Sequence, residues 1–335
     1  MKHIPILLFL FLTIEITCQK LDFKNINFDK ADNIAKLYKG NNLKNLPLLT
    51  YKLTSKLDTD VEKFRAIYIW ISKNIKGDYY MHKSVTKNRK KLKNDSISYL
   101  KWNKKYSKKV FRSLLKNKKT MCTGYAYLLK TMCKIANITC VIVDGYGRNT
   151  SANIGKLSIP NHSWNAVKLN NKWYLVDATW ASGYTDLAKN SFIFDYNDGY
   201  FLTAPTLFVK NHFPLDKKWT LLKNKTSKEF VIAPLIYGEI YKHHITPMQP
   251  EKMENNVSLN EEIKFELHAK KNIDLDKIEI QIRENLYIKK TKPSSVTRIK
   301  ESIFIDYKFK TNGFYDVHIL YKDNVIITYT FNVTK

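Results

Sequence analysis

The amino-acid sequence predicts an α+β fold that ends in a small β-sandwich. Apolar residues recur at helical spacing over residues 58–77 and again over 122–137. Short apolar strands with turn signals follow the second helix, and from about Met253 apolar and polar residues alternate strictly. The chain has 335 residues, enough for one large domain or two smaller ones. Its 44% hydrophobic content excludes a disordered tail protein, and its 4 Cys exclude a disulfide scaffold.

Basic residues dominate the charge of the chain and concentrate in one stretch. The formal net charge is +27, and residues 81–119 hold 15 Lys or Arg against the single acid Asp95. The simplest interpretation is an exposed charged insertion, and the functional alternative is that residues 83–119 bind an acidic or polyanionic surface. Lys outnumbers Arg by 51 to 6. Because phosphate recognition favours Arg, we expect no nucleic acid partner.

The N-terminus has the pattern of a secretory signal peptide over residues 1–18. Lys2 and His3 precede an apolar run from Ile4 to Ile14, which is too short for a transmembrane helix. Lipoprotein anchoring at Cys18 is the alternative, but Glu15 occupies the position at which sequences resembling lipoprotein signals have an aliphatic residue. We therefore expect an exported protein, secreted or periplasmic, with no transmembrane segment.

Residues 20–248 are predicted to form one domain that contains the Lys-rich stretch 81–119. Residues 58–77 form a helix that begins with a capping box of Thr59 and Glu62 and stops at Gly77. Within the Lys-rich stretch, a solvated loop precedes one helix near Ser98–Leu115. A second apolar helix covers 122–137.

The remaining segments are predicted to be strands. A buried strand covers Thr139–Asp144, and two strands, Ser163–Leu169 and Lys172–Thr179, surround an Asn170-Asn171 turn. Pro247 and Pro250 mark a linker, after which residues 251–335 form an Ig-like β-sandwich.

Cys122 is the candidate nucleophile because it lies at the first turn of a predicted helix. The helix dipole and the unpaired N–H groups at that end favour a thiolate and lower the pKa of a Cys. Cys133 lies three turns into the same helix and Cys140 begins a buried strand. Those two could form a disulfide, but we expect two buried free thiols.

A thiol nucleophile needs a base, and the base needs an orienting group. If the turn is centred on Asn170-Asn171, opposed residues sum to 341, so Trp164 faces Asp177 and His162 faces Thr179. His162 and Asp177 are then diagonal neighbours on one face, roughly 7 Å apart in the backbone. A slip of one residue would move Asp177 to the other face. Cys, His and Asp would form a catalytic triad in this order along the chain.

Three separate motifs resemble the transglutaminase-like core, in its kyphoscoliosis peptidase-type branch. The segment Asp58–Ile75 looks like the leading helix of that family, and the resemblance covers roughly residues 50–235. The motifs are Met121-Cys-Thr-Gly-Tyr-Ala, Asn161-His-Ser-Trp-Asn-Ala-Val and Lys172-Trp-Tyr-Leu-Val-Asp-Ala-Thr-Trp, with further similarity at Gly199-Tyr-Phe-Leu, His212-Phe-Pro and Trp219-Thr-Leu-Leu.

The resemblance implies a papain-like fold, in which helices pack on an antiparallel sheet. It also implies that Cys122 is the nucleophile, His162 the base and Asp177 the group that orients it. The backbone N–H of Cys122 is a natural oxyanion donor. Trp164 and Tyr79 are candidates for substrate binding or for the second oxyanion donor. Trp180, like Trp173, is expected in the core.

No cofactor and no metal are expected. His243 and His244 are adjacent, so their side chains point apart on a helix or strand. A segment beginning at Asp195 resembles a calcium loop, but its glycine falls one place early and Thr206 stands where a bidentate Glu belongs.

The resulting functional hypothesis is an exported thiol acyl-transfer enzyme that forms a thioester with a peptide or glutamine-type amide. Resolution by water would make it a cysteine peptidase or deamidase, and resolution by an amine would make it a protein cross-linking enzyme. Hydrolysis is slightly favoured because calcium sites of the mammalian type have no visible counterpart. The alternative is a non-catalytic binding module for an envelope polymer or a protein partner.

Overall fold

A computed structural model describes residues 22–284 and 286–335. The predicted signal peptide and Cys18 lie outside the described residues. Within the described part of the chain, no helix is long and apolar enough to cross a membrane. The helices are α1 (Asp29–Leu37), α2 (Leu46–Thr54), α3 (Asp60–Asn74), α4 (Tyr79–Lys91), α5 (Ser96–Asn117), α6 (Cys122–Ile135), α7 (Ala178–Ser182), α8 (Pro205–Phe208), α9 (Ser227–Ile232) and α10 (Gly238–Lys242).

Helix α3 has the start that the sequence predicts but an earlier end. The Thr59 side chain accepts from the backbone N–H of Glu62, and the Glu62 carboxylate accepts from the N–H of Thr59, so the capping box is confirmed. The helix ends at Asn74 rather than at Gly77, because the chain enters the short strand β1 (Lys76–Gly77). Strand β1 pairs in parallel with β2 (Lys119–Thr120).

The Lys-rich stretch is helical over most of its length, so the predicted solvated loop is wrong. Asp78 caps α4 by accepting from the N–H of Met81, and Asp95 caps α5 by accepting from the N–H of Ser98. Lys and Arg are good helix formers, and their long side chains stay in solvent on a helix surface. The predicted helix near Ser98–Leu115 is confirmed and extends over Ser96–Asn117.

A four-stranded sheet in the order β5-β4-β3-β8 forms the centre of the N-terminal region, and its pairs are antiparallel. Leu169 pairs with Lys172 and Asn165 with Val176, so the predicted register is confirmed. Strand β5 ends before Asp177, so the predicted strand over Lys172–Thr179 is too long. The sheet strands are β3 (Cys140–Gly147), β4 (His162–Leu169), β5 (Lys172–Val176) and β8 (His212–Pro214), and β6 (Gly183–Asp186) pairs with β7 (Ser191–Phe194) outside it.

The C-terminal region consists of two further sheets, in agreement with a predicted β-sandwich. One sheet has the order β10-β12-β16-β15 and the other β11-β18-β17-β13-β14, with β9 also paired to β18. Their strands are β9 (Leu235–Ile236), β10 (Ile245–Gln249), β11 (Glu254–Ser258), β12 (Glu262–Ala269), β13 (Ile278–Glu284), β14 (Tyr287–Thr291), β15 (Ser295–Ile299), β16 (Ser302–Lys308), β17 (Gly313–Tyr321) and β18 (Asn324–Thr334). The domain boundary predicted between residues 248 and 251 stays a prediction.

Helices α3 and α6 pack against each other, and α6 also covers strands β3 and β4. Their buried residues join one continuous hydrophobic core, which includes Cys133 and Cys140. Both of these thiols are free and buried, as expected. The packing fixes α6 on the sheet, and with it the position of the first turn of that helix.

Candidate active site

Cys122 is the first residue of α6, and its side chain is buried. Met121 precedes it in an extended conformation, which is the backbone geometry of a helix N-cap. The thiol therefore lies at the positive end of the helix dipole. This is the position that the sequence predicts for the nucleophile.

His162 and Asp177 come together although they belong to different kinds of element. His162 begins β4, and Asp177 follows β5 as the N-cap of the short helix α7. The His162 Nε2 and Asp177 Oδ2 atoms are 2.7 Å apart. Asp177 Oδ1 accepts from the backbone N–H groups of Thr179 and Trp180, at 2.7 and 3.2 Å. Asp177 is fully buried, so these bonds fix its orientation.

Asp177, His162 and Cys122 stabilise one another's charged forms. Burial favours the neutral form of Asp177, but the nearby His162 outweighs this effect and holds the pKa of the carboxyl well below its ordinary value. Burial also acts against a charged His162, yet the charge and hydrogen bond of Asp177 raise the pKa of the imidazole to about 10. For the Cys122 thiol, burial is outweighed by hydrogen bonds with His162 and His82, and its pKa falls to about 5. Both shifts favour the thiolate–imidazolium pair over the neutral thiol and imidazole.

A second buried imidazole, His212, also contacts the orienting carboxylate. Its Nε2 lies 3.1 Å from Asp177 Oδ2, and its ring stacks on Phe208 with centroids 4.0 Å apart. Burial lowers the pKa of His212 to about 4, so the ring is neutral. Strand β8 brings it here, since His212 pairs with Gly147 of β3. The His212-Phe-Pro motif was a signal for this residue, but sequence reasoning gave it no role.

Aromatic rings hold the His162 imidazole in place. Trp180 stacks on it with centroids 4.8 Å apart, and the Trp164 ring lies 5.9 Å away. Gly147 allows this packing, because a Cβ there would lie 3.1 Å from both the His162 Cβ and the Trp180 ring. Trp180 is half-buried, so this predicted core residue also forms a wall of the candidate site.

The two other candidate residues belong to different elements, Trp164 to β4 and Tyr79 to α4. Trp164 is 1% exposed, and its ring packs edge-on against those of Phe208 and His212. Tyr79 is the first residue of α4 and is half-buried, with its ring against Tyr80. Roles in substrate or oxyanion binding stay predictions for Trp164 and Tyr79.

Within the described residues, three buried side chains, His162, Asp177 and His212, have a geometry that could hold a metal ion. One ligand atom of each lies within 4.8 Å of the others. In this structure both imidazoles face the same oxygen, Asp177 Oδ2, as hydrogen-bonding partners. In the segment that resembles a calcium loop, the Asp198 carboxylate forms an ion pair with the Arg65 guanidinium.

A cleft of about 440 Å³ is lined by His82, whose imidazole contributes to the lowered pKa of the Cys122 thiol. Helix α4 supplies one wall, and the loop between β3 and β4 supplies the other. Arg89 of α4 donates to the backbone carbonyl of Pro160 at 3.1 Å and so joins the two walls. The charged side chains of its lining are those of Lys90 and Lys156, with no carboxylate among the lining residues described. The lining residues are His82, Thr86, Lys90, Asn149 to Ile154, Lys156, Ser158, Ile159 and Asn161.

Comparison with known proteins identifies the region that carries this geometry. Residues 48–178 match the model of the Transglutaminase-like superfamily, and this segment contains Cys122, His162 and Asp177. This part of the chain belongs to the transglutaminase-like superfamily. The kyphoscoliosis peptidases of Mus musculus and Homo sapiens are each 35% identical to this chain over 206 residues, which cover 61% of this chain and 28% of either relative. The transglutaminase-like region is therefore of the kyphoscoliosis peptidase-type branch.

Further matches are more distant. Hillarin of Drosophila melanogaster is 27% identical over 233 residues, which cover 65% of this chain and 26% of hillarin. A solved structure described as a TGase is 19% identical, with a TM-score of 0.28, and the match covers 55% of this chain and 41% of that one. The aligned regions thus span little more than a quarter of the curated relatives' length.

Proposed function

We propose that this chain is a thiol acyl-transfer enzyme, with Cys122, His162 and Asp177 as its catalytic triad and a peptide or glutamine-type amide as its substrate. The observation that carries the proposal is the bond between His162 Nε2 and Asp177 Oδ2. It directs the other ring nitrogen, Nδ1, to the thiol, and the hydrogen bond between His162 and Cys122 lowers the pKa of that thiol. A buried Cys with ionised character next to a fixed imidazole is the arrangement that nucleophilic catalysis requires.

In the proposed reaction, the Cys122 sulfur attacks the amide carbon and a C–S bond forms. The π electrons of the carbonyl move to its oxygen, where the backbone N–H of Cys122 at the start of α6 is a donor. His162 then gives its proton to the leaving nitrogen, the C–N bond breaks, and a thioester remains. Water or an amine next attacks the thioester while His162 takes its proton. The C–S bond breaks and the thiolate returns.

The acceptor decides between a cysteine peptidase or deamidase and a protein cross-linking enzyme. We favour hydrolysis, because the cleft that His82 lines is bordered mostly by polar side chains and so suits water as the acceptor. The name of the mammalian relatives, kyphoscoliosis peptidase, is consistent with this choice. A peptide or protein is the substrate class that follows.

The decisive experiment is a turnover assay on a mixture of unfolded proteins and glutamine-containing peptides. New α-amino groups, released ammonia and new isopeptide bonds are each measured by mass spectrometry, for wild type and for Cys122→Ala. We expect one of the three products with wild type and none with the variant. Cys133→Ala is the matched control, since that buried thiol lies on the same helix but away from the site, and it should retain turnover. Wild type without any product, or a fully active Cys122→Ala protein, would leave a non-catalytic binding module as the better interpretation.

We also propose that the chain is exported through residues 1–18. The N-terminal pattern supports this, with Lys2 and His3 before an apolar run. Expression of the full chain in a bacterial host should give a periplasmic or secreted product that has lost these residues. A product that keeps Met1 and stays in the cytoplasm would contradict the proposal.

A further inference from the structure

His82 lies on the α4 wall of the cleft and has no role in the proposed triad. It belongs to the first turn of α4, and hydrogen bonding and charge from its imidazole contribute to the lowered pKa of the Cys122 thiol. The thiol therefore has two imidazole partners, one from the sheet and one from α4. A nucleophile with a single general base needs only one of them.

The backbone explains why His82 reaches the sulfur. Gly77 pairs with Thr120 across the β1–β2 ladder, and the backbone N–H of Asp78 donates to the carbonyl of Thr120 at 2.7 Å. Helix α4 begins two residues after Gly77, and α6 begins two residues after Thr120. The ladder thus places the first turns of the two helices side by side.

Packing then holds the two first turns together. Met81 and Val85 of α4 share a small buried cluster with Met121, Val110 and Cys122. Because Met81 packs against the start of α6, the adjacent His82 is held near the Cys122 thiol. His82 is half-buried and lines the cleft, whereas His162 is 6% exposed.

We propose that His82 is a catalytic residue, a second imidazole that donates an N–H to the Cys122 sulfur from the substrate side of the site. This role builds on the proposed function, because it adds a residue to the same nucleophile. In the resting enzyme the N–H stabilises the anionic sulfur. When the C–S bond forms, the negative charge leaves the sulfur for the carbonyl oxygen. The His82 N–H is then free to bond with the substrate in the cleft, and it bonds with the sulfur again when the thioester breaks.

The two imidazoles have different tasks in this scheme. His162 exchanges protons, and Asp177 fixes its orientation. His82 has no such carboxylate partner among its described contacts, and the charged groups near it are His162 across the sulfur, Asp78 at the start of α4, and the two lysines of the cleft, Lys90 and Lys156. Asp78 is occupied in capping α4 and lies 3.8 Å from the Lys119 amine. His82 is thus free to act as a donor rather than as a base.

The test is the pH dependence of iodoacetamide labelling of Cys122, followed by mass spectrometry on the full chain. His82→Ala removes one charge-assisted hydrogen bond, so we expect the labelling midpoint to rise by about one to two pH units. His82→Gln retains a neutral N–H donor and should recover part of this shift. Ser84→Ala is the matched control, because Ser84 is exposed on the same helix and is not among the residues that line the cleft. It should label like wild type.

Each outcome bears on a different claim. A midpoint that stays within about 0.3 pH units of wild type in a folded His82→Ala protein, while His162→Ala shifts it, would overturn the role of His82 and leave the triad intact. A wild-type Cys122 that labels like an ordinary thiol would instead count against the proposed function. Circular dichroism separates both results from unfolding. In the turnover assay, His82→Ala should lower kcat more than it raises KM.

Discussion

Replacing Asp177 by Asn tests the central interaction with almost no change in shape. The carboxylate accepts bonds from two imidazoles at Oδ2 and from two backbone N–H groups at Oδ1. An Asn can keep its carbonyl oxygen on the N–H groups that start α7, and its NH₂ group then faces both imidazoles. His162 Nε2 must become an acceptor, so the ring proton moves to Nδ1 and the imidazole can no longer accept a proton from Cys122.

The expected fall in turnover of Asp177→Asn follows from the hydrogen bonds that are removed. Two hydrogen bonds to a buried charge disappear, each worth about 1.5–3 kcal/mol. At about 1.36 kcal/mol per factor of ten in rate, the sum corresponds to a fall in kcat of about 10²–10⁴-fold. The same change removes the positive charge of His162, so the labelling midpoint of Cys122 should rise as well. Turnover and iodoacetamide labelling of Asp177→Asn measure the two effects.

The matched control is Asp216→Asn, because Asp216 also accepts a backbone N–H at the start of a short helical segment but contacts no imidazole among the described residues. Asp216→Asn should leave turnover and the labelling midpoint of Cys122 unchanged. If Asp177→Asn retains turnover within about threefold of wild type, the orienting role assigned to Asp177 is wrong, and so is the tautomer derived for His162.

Three further predictions concern the surroundings of the site. His212→Phe keeps the ring but removes its bond to Asp177, so turnover should fall by about tenfold without loss of fold, and an unchanged kcat would show that the bond does not matter. Arg65→Met leaves the carboxylates of Asp32 and Asp198 without their buried guanidinium, and urea denaturation should show a loss of about 3 kcal/mol; a wild-type midpoint would contradict this. Because the folded state holds the pKa of Asp177 below its ordinary value of 3.8, its contribution to stability is present above about pH 4 and is lost as the pH falls. Urea midpoints between pH 7 and pH 3 should therefore fall less for Asp177→Asn than for wild type. An equal fall of the midpoint in the two proteins would contradict this contribution of Asp177 to stability.

Local signals made much of the site predictable. The Asn170-Asn171 turn sets the pairing of β4 with β5, and with this register the His162 and Asp177 side chains come within hydrogen-bonding distance. The helix start at Cys122 was visible as the onset of an apolar periodicity. Asp177 itself was misplaced as a strand residue, because the sequence does not distinguish a strand end from the N-cap of a five-residue helix.

The parts that the sequence did not predict depend on contacts between distant segments. Helix α4 was taken as a loop because its composition is basic and polar, and the packing of Met81 against the start of α6 becomes visible only in three dimensions. His82 therefore had no apparent connection with Cys122. His212 reaches the site through the pairing of β8 with β3, which joins residues 65 positions apart. No local pattern encodes such a pairing.

Two strands that precede residue 250 pair with the C-terminal sheets, and this pairing limits how the chain can be divided. Strand β10 precedes residue 250 but forms the edge of the sheet that contains β12, and β9 pairs with β18. The buried guanidinium of Arg148 in turn donates to backbone carbonyls of Ala233 and Pro234, just before β9. A fragment that starts at residue 251 would expose the edge of β12, and exposed edges invite aggregation. For recombinant work, residues 231–250 contribute contacts to both halves of the chain, and a cut there would destabilise the transglutaminase-like region and the C-terminal sheets together.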